Sequence, residues 1–236
     1  MTIQTQANEQ RINLARVSPK KRQVQKAPTA NVYVDGFNLY YGCLKGTSYK
    51  WLDLDALFRR LLPAYNVHRI RYFTARISGR PGNPDSPTRQ DTYLRALRTL
   101  PNVTIHLGKF LLSTQRMPLA TPQPGGARTV EVIKTEEKGS DVNLATYLLL
   151  DAFRHDSDAA VVVSNDSDLC EPIRIAMYEF GLTVGLLNPH RHASQALVAL
   201  QPAFIKQIRS GPLSASQLPA QMTDSHGHKI SKPTTW

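Results

Sequence analysis

The chain has 236 residues, 41% hydrophobic and 20% charged, enough apolar material to bury one medium-sized core without disulfide staples. Its formal net charge of +11 favours an anionic partner, with nucleic acid ahead of an acidic membrane surface. Only Cys43 and Cys170 are present, which excludes a disulfide-rich secreted scaffold and a thiolate zinc site, and no run approaches the ~18 apolar residues of a membrane span.

Residues 1–30 carry six Lys/Arg against Glu9 alone and read as a flexible basic arm ending at Ala27-Pro28. They lack the apolar stretch of a signal peptide, so a cytoplasmic protein is expected. Asn31–Val34 is a short apolar run stopping at Asp35-Gly36. Leu54–Leu62 has helical spacing, Val67–Ile77 reads as a strand, Thr88–Leu100 as a helix and Val103–Leu112 as a strand. After the Pro/Gly-rich loop Met117–Gly126, Arg128–Lys134 reads as another strand or hairpin arm. Asp141–Phe153 is the longest helical pattern, then Ala159–Val163, a helix over Leu169–Phe180, and Leu182–Leu187. The Val/Leu runs do not alternate with polar residues, as expected of strands covered on both faces. Strands alternating with helices over residues 31–209 predict one α/β domain with a mostly parallel sheet. The remainder, 210–236, is rich in Ser, Pro and His and is expected to lie on the surface as a tail.

The excess charge is unevenly placed. Residues 31–205 hold 19 bases and 16 acids, so the body is nearly balanced, whereas residues 67–116 alone hold nine bases against Asp85 and Asp91. Such a segment would suit a polyanion backbone. Tyr40, Tyr41, Tyr49 and Trp51 could stack unpaired bases.

Three acidic points fall where an open α/β sheet places its ligands, at strand ends and helix starts. They are Val34-Asp35-Gly36-Phe37-Asn38, Lys138-Gly139-Ser140-Asp141-Val142-Asn143 and Ser164-Asn165-Asp166-Ser167-Asp168. Each alone could be a cap or turn. Together they bring four carboxylates to one sheet edge, where they repel unless a hard divalent ion such as Mg²⁺ or Mn²⁺ lies between them. Such an ion activates water and stabilises charge on phosphoryl oxygens, which points to phosphodiester hydrolysis.

The segments VYVDGFNLYYG, KGSDVNLATYLLLDAF, AVVVSNDSDLCEPI and GLTVGLLNP, in that order over roughly 31–200, resemble the NYN domain, the LabA/DUF88-like branch of the PIN-like nucleases. Ser216-Gln217-Leu218-Pro219, Asp224, Gly227, Lys232-Pro233 and Trp236 resemble the ending of many such proteins. The resemblance implies a PIN-like three-layer α/β/α sandwich and metal-dependent ribonuclease activity, with RNA, single-stranded or structured, as partner and self-association common. Carried onto this chain, the metal-binding acids fall on Asp35, Asp141 and Asp166. Asp168 would reach the ion through water or orient the attacking water. Asn38, Asn143 and Ser164 are candidates for positioning the phosphate, and Lys138 for stabilising its charge. Many relatives carry another acid where this chain has Tyr147. Asp151 does not replace it, because ten helical residues rise ~15 Å from Asp141.

Two rivals accompany this reading: a non-catalytic RNA-binding module with a decayed site, and the NADH-dependent pyridine-ring monooxygenase assigned to some similar proteins. No G-x-G-x-x-G follows a strand and no P-loop is present. His190-Arg191-His192 and His226-Gly227-His228 have neither a Cys partner nor helical i, i+4 spacing and read as loop histidines.

Overall fold

A computed structural model describes residues 26–79 and 82–236. Most of the expected basic arm, residues 1–25, lies outside the described residues. In chain order the elements are β1 (Thr29–Asp35), α1 (Gly36–Leu39) running into a π-helical turn (Tyr40–Leu44), α2 (Leu54–Leu61), β2 (Asn66–Ala75), α3 (Ser86–Leu97), β3 (Val103–Pro118) and β4 (Thr129–Lys138). Then follow α4 (Ser140–Phe153), β5 (Ala159–Val163), a 3₁₀ turn (Ser167–Leu169), α5 (Cys170–Tyr178), β6 (Thr183–Asn188), α6 (Gln195–Ala199), β7 (Phe204–Gln207), α7 (Ser210–Ser214) and the hairpin β8 (Gln221–Thr223) and β9 (Lys229–Ser231).

Seven strands form one sheet in the order β4-β3-β2-β1-β5-β6-β7, parallel throughout except for β4. The unbroken apolar runs make this possible: all five residues of β5 are buried, and Val32, Tyr33 and Val34 of β1 are fully enclosed on both faces. On one face, Val32, Val34 and Ile70 pack against Leu54, Leu57 and Phe58 of α2 and Leu94 and Leu97 of α3. On the other, Tyr33 and Phe73 pack against Leu144 and Leu148 of α4 and Ile173 of α5. This is the expected three-layer α/β/α sandwich. Asp53 caps α2 through its carboxylate, which accepts from Ala56 N at 2.9 Å, and the basic Arg59 and Arg60 occupy the last turn.

The strand order reverses direction at β1, with β2 on one side and β5 on the other, so a crevice opens beyond their C-terminal ends. The β3–β4 ribbon brings a third segment to the same edge. β3 runs past Gly108, its last partner on β2, and β4 returns antiparallel from Thr129 opposite Pro118 to Lys138 opposite Lys109. The chain therefore re-enters at the level of Ala75, and α4 starts there. Gly139 makes the turn at φ 95°, a left-handed conformation that costs glycine little.

Three expectations need correction. The segment 210–236 is not a surface tail: Leu213, Leu218 and Ile230 are buried in the core beside α2 and α3. Leu218 N donates to Trp51 O, Asp53 N to Ser216 O, and the Trp236 ring lies 5.9 Å from that of Tyr93. Polar composition hid a few anchoring apolar side chains. Trp51 is no base-stacking residue either; it is fully buried and its indole N–H donates to Pro219 O at 2.8 Å. Third, much of the basic segment 67–116 is internally neutralised, since Arg69, Arg71, Arg76 and Arg95 all pair with acids.

One of those pairs is buried beneath α4. Asp151 accepts two bonds from Arg71, at 2.7 and 2.8 Å, and a third from the Tyr33 hydroxyl at 2.9 Å. The Arg71 guanidinium also lies 4.5 Å from the centre of the Tyr147 ring, and Tyr147 packs on His106 and Phe73. Burial, aided by Arg71, pushes the His106 imidazole down to about 4. Asp151 and Tyr147 thus belong to a closed structural network.

Leu218→Ala is expected to lower the unfolding free energy by about 2–4 kcal/mol in urea denaturation. Arg71→Met, which leaves the buried Asp151 carboxylate only the Tyr33 hydroxyl and Arg69 at 3.9 Å, is expected to cost about 3–5 kcal/mol, and the double change Arg71→Met with Asp151→Leu should recover much of it.

Candidate metal centre

Each of the three acidic segments reaches the crevice by a different local device. Asp35 ends β1 and caps α1, its Oδ1 accepting from Asn38 N at 2.9 Å. Asp166 follows β5 and caps the 3₁₀ turn, its Oδ1 accepting from Asp168 N at 3.0 Å. Asp141 stands in the first turn of α4, where the helix dipole favours an anion. One carboxylate oxygen from each of Asp35, Asp141 and Asp166 lies within 4.8 Å of the others.

Ser164 joins two of these acids. Its hydroxyl is buried, donates to Asp35 Oδ2 at 2.9 Å and accepts from Asp166 N at 3.1 Å. Its hydrogen-bonding capacity is thus used inside the protein, holding carboxylates in place. Asn38 Oδ1 accepts from Asn165 N at 2.9 Å, which ties the β1 loop to the β5 loop.

The remaining sequence candidates lie around the group. Asp168 is exposed and outside the three-carboxylate cluster, though its charge acts on Asp141. Asn143 is two residues beyond Asp141 on α4, about 200° around the helix. The ammonium of Lys138 pairs with Glu136 Oε2 at 3.2 Å, on the face of β4 opposite Glu137. Glu137 itself was not singled out by sequence because it sits in a run of charged residues. It accepts from both the backbone N and the hydroxyl of Ser140, at 3.1 and 2.7 Å, and so anchors the start of α4. His190, which the sequence marks only as a loop histidine, has its Nε2 3.0 Å from Asn38 Oδ1.

The crevice is electronegative. Burial, followed by Asp35, Asp166, Glu137 and Asp168, pushes the Asp141 carboxyl up to about 6. The charges that act on it most strongly are all negative. Burial also raises Asp35, against the stabilising bonds from Asn38 and Ser164. Asp35 is only 5% exposed and bonded to neutral groups, unlike an ordinary solvated acidic patch. An all-oxygen, negatively charged donor set of this span fits a hard divalent cation, whose opposed ligands at about 2.1 Å stand roughly 4.2 Å apart.

Residues 29–211 match the family model of the NYN domain. The chain belongs to the NYN domain family. NYN domains are PIN-like, and that superfamily is generally composed of nucleases that use divalent metals. The chain is 33% identical over 248 residues to the 6-hydroxy-3-succinoylpyridine 3-monooxygenase HspA of Pseudomonas putida, covering 92% of this chain and 78% of the relative. A protein of unknown function from Vibrio parahaemolyticus has a similar fold, with a TM-score of 0.53 at 18% identity over 83% of this chain and 99% of that one. Among the described residues, no helix is long and apolar enough to cross a membrane.

The raised Asp141 value fixes a pH dependence for the metal-free protein. Below about pH 4 the group is protonated in both folded and unfolded chains; as pH rises through about 6, the unfolded chain holds a free carboxylate while the fold holds a repelled one, so stability is lost. Asp141 is partly exposed, and solvent screening reduces the penalty to about 1 kcal/mol, or roughly 2–4 °C. In EDTA, Asp141→Asn is expected to raise Tm by that amount at pH 7.5 and not at pH 4, as read by scanning calorimetry.

Proposed function

We propose that this NYN domain is a metal-dependent ribonuclease that hydrolyses RNA phosphodiester bonds at Asp35, Asp141 and Asp166. The observation that carries the reading is the convergence of those carboxylates, one of them nearly fully buried, without a cationic side chain paired to them among the described residues. A bound Mg²⁺ or Mn²⁺ would supply an acidified water and neutralise charge on the phosphoryl oxygens. Asp35, fixed by Ser164 and Asn38 N, and Asp166, fixed by Ser164 and Asp168 N, need little reorganisation to hold it. An ion held there would have to displace the Asp141 proton, so its affinity is expected to rise with pH through about 6. Asp168, exposed and coupled by its charge to Asp141, would orient the attacking water or accept its proton. Tyr41, 56% exposed with Lys45 Nζ 5.0 Å from its ring centre, offers a stacking surface to an unpaired base.

A second reading rests on the 33% identity to the Pseudomonas putida monooxygenase. It makes the crevice the site of a pyridine-ring hydroxylation, with NADH as reductant. The two separate in one set of assays. Purified protein is expected to cut single-stranded RNA with Mn²⁺ and to stop in EDTA, while Asp35→Asn or Asp141→Asn lowers the rate by at least about 100-fold with RNA binding retained. Cutting that persists in Asp141→Asn would contradict the assignment to this site. Binding without cutting would make the protein an RNA-binding module. Oxygen uptake with NADH and 6-hydroxy-3-succinoylpyridine would favour the second reading.

A further inference from the structure

Of the seven histidines in the chain, one reaches the crevice. His190 follows β6, and the loop holds it from its own backbone: His190 N donates to Asn188 Oδ1 at 2.8 Å, and Gln207 Nε2 donates to His190 O at 3.1 Å. Its ring Nε2 lies 3.0 Å from Asn38 Oδ1, across 152 residues of chain.

The chemistry of that contact is determined by a third group. The Asn165 backbone N–H can only donate, and it meets the same Asn38 atom at 2.9 Å, so that atom is the amide oxygen. The His190 nitrogen facing an oxygen that already accepts must itself carry a proton. Two donors therefore clamp Asn38 Oδ1, and the Asn38 amide plane is fixed. Asn165 is anchored in turn, with its Nδ2 donating to His192 O at 3.1 Å and its Oδ1 accepting from Ser194 N at 2.7 Å. The Asn38 amide nitrogen is left over. Among the described residues it is neither a donor in any hydrogen bond nor a buried unpartnered atom. Asn38 N meanwhile donates to Asp35 Oδ1 at 2.9 Å, so the residue that carries this donor is itself bonded to the buried carboxylate.

The π-helical turn makes room for the ring. A Cβ on Gly42 would come within 2.9 Å of Pro189 Cβ and 3.0 Å of both Cδ2 and Nε2 of His190. A methyl group at position 42 would press on Pro189 and on the imidazole that reaches Asn38.

We propose that His190 is a positioning residue: its Nε2–H, together with Asn165 N–H, locks the Asn38 amide so that Nδ2–H₂ is presented to a non-bridging oxygen of the RNA phosphate lying over Asp35, Asp141 and Asp166. The role rests on the ribonuclease reading and specifies how the site recognises its phosphate. It asks of His190 a hydrogen bond and no transfer of a proton. Glutamine, whose terminal amide nitrogen can occupy the place of Nε2, should therefore substitute.

The test is steady-state cleavage of a single-stranded oligoribonucleotide with Mn²⁺ by wild type, His190→Ala, His190→Gln, Gly42→Ala, Asn38→Ala and the double variant His190→Ala with Asn38→Ala. Misplacing the donor is expected to lower kcat about 10- to 100-fold in His190→Ala and Gly42→Ala, with KM changed less than about threefold. His190→Gln should return to within about fivefold of wild type with an unchanged pH profile, and the double variant should be no slower than Asn38→Ala alone. The proposal is overturned if His190→Gln is as slow as His190→Ala, which would make the imidazole an acid or base. It is also overturned if the two deletions multiply, or if both His190→Ala and Gly42→Ala cut at the wild-type rate. Should His190→Ala fail to fold, Gly42→Ala, which keeps the histidine and displaces it, decides alone. Absence of cutting by wild type would remove the ribonuclease reading and this role with it; loss of the role alone shows as normal wild-type activity with uncoupled variants.

Discussion

Repulsion among Asp35, Asp141 and Asp166 is the constraint around which this fold is arranged. Three carboxylates with oxygens within 4.8 Å of one another, one of them nearly out of water, is an unfavourable arrangement for a folded chain on its own. The sheet, the helix starts and the loop bonds all hold it in place. The reversal of strand order at β1 places Asp35 and the β5 loop side by side. The antiparallel return of β4 brings the start of α4 to the same edge. Ser164 then links two of the acids through one hydroxyl. These devices hold repelling groups together, and a proton on Asp141 or a cation between the carboxylates would relieve the repulsion without moving them.

A second charged system lies on the α4 side of the sheet and behaves in the opposite way. Asp151, nearly three turns along the helix that presents Asp141, is neutralised by Arg71 and hydrogen-bonded by Tyr33. The two aspartates on α4 thus have contrary roles, decided by what faces them. Asp141 meets acids and stays available to a ligand. Asp151 meets a guanidinium and is spent on structure. The aromatic group of Phe73, His106 and Tyr147 fills the space beside that pair, and it explains why a tyrosine is comfortable at position 147.

What could be read from the sequence follows the range of each interaction. The parallel strands were legible because two-sided burial demands unbroken apolar runs, and Ala159–Val163 came out with its observed bounds. The three acidic segments were legible because each sits just after such a run or at the start of a helix. β3 was underestimated: beyond Gly108 it pairs only with β4, so its pattern no longer reports a buried sheet. The segment 210–236 was misread because Leu213, Leu218, Ile230 and Trp236 are widely spaced among polar residues, although each packs into the core. His190 and Glu137 were missed for related reasons. The partner of His190 is 152 residues away, and Glu137 is one member of a charge run whose other members face the opposite side.

The most direct test of the account is location of the ion. Crystals of the full chain soaked in Mn²⁺ and measured at the manganese absorption edge should show an anomalous peak within coordination distance of Asp35, Asp141 and Asp166. That peak should be missing from Asp141→Asn crystals of the same form. A manganese peak held by other residues, or an empty crevice at saturating Mn²⁺ above pH 7, would contradict the claim that these carboxylates are arranged for a cation.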